Sequence, residues 1–154
     1  MSNASPEEIA ALIRPSLTQL YVTYFRRADQ SDLTGPQLTI MSRLAENGPS
    51  RINEVARREG IRMPTASNAL HQLETRGMIE RLRDTADRRG VRVRLTALGR
   101  TELDRVGAER TRYLAEMLST LEPEQLETIK KLAPLIKELA TNYAAASFED
   151  DLKD

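Results

Sequence analysis

The chain has 154 residues, 40 % apolar and 30 % charged, with 23 basic and 23 acidic side chains. This is the make-up of one globular unit of ordinary domain size. No run of eighteen uncharged apolar residues occurs and no basic stretch with an apolar core opens the chain, so neither a membrane span nor a secretory leader is expected, and the reading is cytoplasmic. Cysteine is absent and His71 is the single histidine, which excludes disulfides, thiolate metal sites, cysteine nucleophiles and a histidine-based triad within one chain. No metal, cofactor or catalytic residue is expected.

Ile9, Leu12, Ile13, Leu17, Leu20, Tyr21, Tyr24 and Phe25 recur at three- and four-residue intervals after Pro6, which predicts a long first helix to about Gln30. Thr34 and Gln37 have capping-box spacing for a second helix with Leu38, Met41 and Leu44 on one face, ended by Asn47, Gly48 and Pro49. The short segment Ser50 to Ile52 leads to Asn53, the expected N-cap of a third helix that Gly60 stops. A fourth helix is predicted from Met63 to Gly77. Its Ala66, Ala69, Leu70 and Leu73 cluster on one side, leaving Pro64, Asn68, His71 and Thr75 opposite and Thr65, Ser67 and Gln72 on the flanks. Met78 to Arg83 and Val91 to Leu95 read as two strands alternating apolar and charged residues, joined by the polar loop Asp84 to Gly90. Thr96 caps a fifth helix running through Leu103, Val106, Tyr113, Leu114, Met117 and Leu118. Pro123 opens a sixth with Leu126, Ile129, Leu132, Leu135, Ile136, Leu139 and Tyr143, and the end from Glu149 to Asp154 is expected to fray.

The zero net charge conceals a separation. Residues 51 to 94 hold eleven arginines and no lysine against six carboxylates, a net +5, while residues from 101 onward carry a net −5. Arginine offers planar, bidentate donors of the kind that grip phosphates and guanine edges. This basic segment coincides with the order helix, short helix, helix, hairpin, which is that of a winged helix-turn-helix whose last helix enters the major groove. The expected fold is therefore mainly α with a small β-hairpin: one domain over 1–154, with a DNA-binding region at 33–99 and dimerisation helices at 6–30 and 100–147. The apolar stripes of the first, fifth and sixth helices exceed what a small winged unit covers, and a two-fold dimer buries them.

Thr65, Ser67, Asn68, His71 and Gln72 are the candidate base readers, since Asn and Gln can pair bidentately with adenine and hydroxyls serve either base type. Arg57, Arg58, Arg76, Arg92 and Arg94 are candidate phosphate contacts, and Arg88 on the hairpin is more suited to phosphate than to bases. The competing reading of both sets is a solvated surface. A protein-binding adaptor that kept the winged fold but lost DNA affinity is the alternative function. An enzyme is disfavoured because Glu7 and Glu8, or Glu80 and Asp84, have no nucleophile or phosphate loop beside them.

The run Gly60, Ile61, Arg62, Met63, Pro64, Thr65, then Leu73, Glu74, Gly77, Ile79 and Arg81, followed by Asp87, Arg88, Arg89 and by Leu95, Thr96 and Gly99, resembles the MarR family of transcriptional regulators. The likeness covers roughly Leu33 to Gly99. It implies an obligate homodimer on a pseudo-palindromic operator, acting as a repressor and often released by a small-molecule effector. It also carries Asp87 and Arg89 onto the family's wing pair, in which the arginine enters the minor groove and the aspartate orients it. A narrow A·T-rich groove concentrates negative potential and attracts an inserted guanidinium, in keeping with that role. Tyr21, Tyr24, Phe25 and Met41 read either as core or dimer packing or as the lining of the cleft where the family often binds a small aromatic effector. Arg62 and Asn68 depart from the family pattern, which commonly has a small capping residue at the first position and an arginine at the second.

Overall fold

The computed structural model describes residues 4–28, 32–83 and 91–150, and contains six helices and three short strands in the order α1 (Pro6–Ala28), α2 (Gly35–Asn47), β1 (Ser50–Arg51), α3 (Ile52–Glu59), α4 (Met63–Thr75), β2 (Ile79–Arg83), β3 (Val91–Leu95), α5 (Ala97–Leu118) and α6 (Pro123–Asp150). The expected mainly helical architecture is what the chain adopts. The loop from Asp84 to Gly90, the end of the first helix beyond Ala28, and residues 151–154 lie outside the described residues.

Local chemistry accounts for most boundaries. Ser5 and Glu8 form a reciprocal box at the start of α1, with Glu8 N donating to Ser5 Oγ at 3.2 Å and Ser5 N donating to Glu8 Oε2 at 3.1 Å. The predicted Thr34–Gln37 box opens α2. Gly60 closes α3 in the left-handed conformation at φ 61°, with Gly60 N donating to the Arg57 carbonyl and Ile61 N to the Ala56 carbonyl. Gly77, at φ 72°, does the same just past the end of α4, whose last residue is Thr75. Thr96 Oγ1 accepts from Gly99 N at 3.0 Å and caps α5. Pro15 and Pro134 sit inside α1 and α6, each removing one backbone donor, yet both helices continue past them.

Two sequence expectations are corrected. Asn53 does not cap α3; it lies inside the helix, and Arg51 holds the cap position without a side-chain hydrogen bond. The reason is tertiary: Ser50 and Arg51 pair with Val93 and Arg92 of β3, which keeps them extended and starts the helix directly after the strand. The hairpin is accordingly part of a three-stranded antiparallel sheet ordered β1-β3-β2. The second corrected expectation is the apolar–charged alternation read over Met78 to Arg83, which Leu82 breaks. Three residues from Ile79, it falls on the opposite face of the sheet, opposite Arg92, while Ile79 is buried and opposite Leu95.

The core lies wholly between Leu33 and Val106. Leu33, Ile40, Met41 and Leu44 meet Val55 and Ala56, the inner face of α4, and Ile79 and Val93 of the sheet. Val106 ties α5 into the same cluster. By contrast α1 and α6 leave their apolar stripes open: Leu12 is 79 % exposed and Tyr143 71 %, with Leu17, Leu135, Ile136 and Leu139 each more than half exposed. Within the chain α1 packs on α5, and α6 returns to touch α3. An added Cβ at Gly60 would lie 3.2 Å from the Ala144 backbone, so a glycine is what permits this approach.

Candidate nucleic-acid interface

The four apolar residues of α4 are buried, which turns the neutral polar remainder outward: Thr65, Ser67, Asn68, His71 and Gln72 are all exposed. The helix starts with Arg62 at the cap position and no side-chain cap bond. Gln72 is the one candidate reader tied from behind. Its Oε1 accepts from Nε2 of Gln37 at 2.6 Å, and Gln37 is only 2 % exposed. Sequence reasoning had placed Gln37 in a cap and missed this second contact, because nothing in linear spacing indicates that α2 crosses behind α4.

The sheet flanks this helix. Its register puts Arg81 opposite Val93 on the face that meets α4, and Arg81 Nε donates to both Glu74 carboxylate oxygens, at 3.1 and 3.0 Å. On the other face Arg94 pairs with Glu80, and Arg92 stands opposite both Arg51 and Leu82. Arg83, exposed at the end of β2, leads toward the wing tip, an additional cation that residue types alone did not single out. Asp87, Arg88 and Arg89 of that tip lie outside the described residues.

The five arginines assigned to phosphate divide by their surroundings. Arg57 and Arg58 project from α3, exposed and without an ion-pair partner among the described residues. Arg92 is exposed on the sheet. Arg94 is engaged with Glu80, and Arg76 donates to the Asp32 carbonyl at 2.6 Å. An exposed ion pair such as Arg94–Glu80 contributes little to stability. The Asp32 segment also binds α5: Arg105 reaches the Asp32 carboxylate at 3.2 Å and Glu102 at 2.8 Å, and Arg110 donates to the Leu33 carbonyl at 2.6 Å. The hydrogen bond from Arg105 holds the Glu102 carboxyl below its ordinary range.

On α1 the rings of Tyr21 and Phe25 lie 4.4 Å apart and those of Tyr24 and Phe25 5.4 Å, a contiguous aromatic cluster. Beside it Arg27 lies 4.8 Å from the Tyr113 ring centroid and pairs with Glu116 at 2.6 Å, joining α1 to α5. Tyr113 donates its hydroxyl to Glu109 at 2.6 Å, which raises the phenol above its usual pKa. Met41 does not belong with these rings: it is fully buried in the core, where its position on the inner face of α2 sends it. A separate open cleft of about 480 Å³ lies between α3 and α6, lined by Glu59, Gly60, Leu139, Ala140, Tyr143 and Ala144.

Comparison with known proteins gives consistent results. The model of the MarR family matches residues 33–91. The chain is 33 % identical to the HTH-type transcriptional regulator FarR of Neisseria gonorrhoeae over 89 residues, 57 % of this chain and 61 % of that protein, so the likeness spans about three fifths of the relative's length. A MarR family protein from Bacillus stearothermophilus shares the fold, with a TM-score of 0.71 at 23 % identity over 88 % of this chain and 99 % of that one. NadR in complex with 4-hydroxyphenylacetate superposes with a TM-score of 0.60 at 27 % identity, covering 91 % and 96 % of the two chains.

Proposed function

We propose that this chain is a winged helix-turn-helix transcriptional regulator of the MarR family, a homodimeric repressor of a pseudo-palindromic operator, a reading supported by the match to the family model and the likeness to FarR. The observation that carries the proposal is the outward face of α4, which is polar and uncharged from Thr65 to Gln72 and is flanked by an arginine-bearing sheet. Neutral donors and acceptors suit base edges, and the surrounding cations suit the phosphates on either side. In this reading Thr65, Ser67, Asn68, His71 and Gln72 meet the major groove. Arg57, Arg58 and Arg92 take phosphates, as do Arg76 and Arg94, and Arg88 and Arg89 follow the wing with Asp87 orienting Arg89.

The open stripes of α1 and α6 support pairing, with 6–30 and 100–147 as the dimerisation region around reading heads at 33–99. Among the described residues no helix is long and apolar enough to cross a membrane. A cytoplasmic location is part of the proposal and rests on the likeness to the MarR family. The cluster of Tyr21, Tyr24 and Phe25 has the chemistry to hold a small aromatic compound, the class seen bound to NadR. Release of the operator by such an effector completes the proposal.

A salt titration tests it against the adaptor alternative. Affinity for operator duplex that falls steeply as salt rises, by about three decades or more between 50 and 200 mM, is the expected outcome for a protein displacing counterions at several phosphates. Weak binding with no salt dependence overturns it. Footprints should show two half-sites about 34 Å apart, one duplex turn.

A further inference from the structure

We propose that buried Gln37 is a positioning residue that locks the Gln72 carboxamide with its NH2 group outward, so that α4 selects at this position a base edge that accepts hydrogen bonds, guanine or thymine, over one that donates. The inference rests on the reading above in which α4 meets base edges.

A free glutamine turns its amide either way, and that freedom is what allows bidentate pairing with adenine. Here two successive bonds remove it, starting from a group whose role is unambiguous. The Thr34 backbone N–H can only donate, and it donates to Gln37 Oε1 at 2.9 Å. Gln37 N returns a bond to Thr34 Oγ1 at 3.3 Å, which fixes the residue from both ends. With its oxygen committed, Gln37 has only Nε2 to turn toward α4, and that atom donates to Gln72 Oε1 at 2.6 Å. Reversing the Gln72 amide would set two NH2 groups against each other at that distance. Because Gln37 is 2 % exposed, water cannot take over the lost bond, and an unmade buried bond biases the two orientations by roughly five- to 150-fold.

Gln72 Nε2 has no other partner among the described residues, so its hydrogens remain for a ligand. Gln72 lies one turn beyond Asn68 on the exposed side of α4. Guanine offers two acceptors in the major groove, N7 and O6, and thymine offers O4. Cytosine presents the N4 donor, and adenine sets its N6 donor beside N7, so a donor-only amide loses there the second bond that a free glutamine makes. A backbone capping bond at the start of α2 thus becomes a rule about which base suits α4.

The test is selection of binding sites by the full chain from a randomised duplex library, followed by competition binding at each position. Wild type should prefer guanine or thymine at one position per half-site, and Gln72→Ala should flatten that preference there alone. Gln37→Met, checked for folding by circular dichroism, should keep binding but improve the relative affinity for adenine there about tenfold, within the orientation bias above. Gln37→Glu at pH 8 retains an acceptor for Thr34 N–H and offers Gln72 only a second acceptor. It should reverse the Gln72 amide and move the preference to adenine or cytosine, which keeps the test decisive if the methionine variant does not fold. A wild-type preference for adenine or cytosine at the Gln72 position, or an unchanged profile in the folded Gln37 variants, overturns the locking of the amide even where Gln72→Ala acts. An unchanged profile in Gln72→Ala instead removes Gln72 from the base readers, which is a failure of the underlying reading.

Discussion

Leu135 provides a direct measure of what α6 covers. It is 60 % exposed within one chain and shares its stripe with Leu132, Ile136, Leu139 and Tyr143. Full burial of a leucine stabilises by about 2 kcal/mol, so covering the remaining three fifths contributes about 1.2 kcal/mol, or about 2.4 kcal/mol when a two-fold pair presents the residue twice. Leu135→Glu loses this and adds about 1–3 kcal/mol for stranding each carboxylate against apolar surface. The dimer dissociation constant should rise at least about a thousandfold, since roughly 4 kcal/mol corresponds to nearly three decades. Sedimentation velocity over a concentration series, at constant salt, measures it. Thr141→Glu is the control: at about 100° per residue it places the same charge on the far side of α6 and should leave association unchanged. Leu135→Glu sedimenting as wild type, or Thr141→Glu dissociating to the same extent, would refute the assignment of this stripe to the partner.

Further outcomes follow from other positions. Gly99→Ala should destabilise by upwards of about 3 kcal/mol in urea titration, because a Cβ there lies 2.0 Å from the Met78 carbonyl oxygen, the acceptor that joins α5 to the strand junction, and backbone must move to admit it. An unchanged urea midpoint would mean α5 does not seat on Met78 as described. Thr34→Ala should cost about 1 kcal/mol through loss of the α2 cap. Arg89→Ala should weaken operator binding by about 1–3 kcal/mol while the dimer persists, measured by fluorescence anisotropy, and equal affinity would end the wing assignment. Phosphate contacts by Arg57 and Arg58 predict that replacing either with alanine lowers the salt slope by about one unit without altering base preference.

The helices were legible because their causes are local. Apolar spacing, the Thr34 and Thr96 caps, and glycines at 48, 60 and 77 define five of the helix ends through interactions within a few residues. The polar face of α4 was legible for the same reason, since four buried apolar positions at helical spacing leave the remaining side chains outward. What depended on distant segments was not. Asn53 has the chemistry of a cap, but pairing of Ser50 and Arg51 with β3 moved the helix start. Met41 has the chemistry of a pocket wall, but the way α2 packs over α4 and the sheet put it in the core.

Residue types and their spacing determined that this is a mainly helical chain with an arginine-rich central third and more apolar stripe than one subunit can cover. Tertiary structure decided which of those arginines are engaged by neighbouring carboxylates and carbonyls and which are open, and it brought Gln37 behind Gln72, thirty-five residues away in the chain. Helical periodicity specifies which face a side chain occupies, whereas a hydrogen-bond partner depends on the crossing of two elements, and no pattern within either element records that crossing.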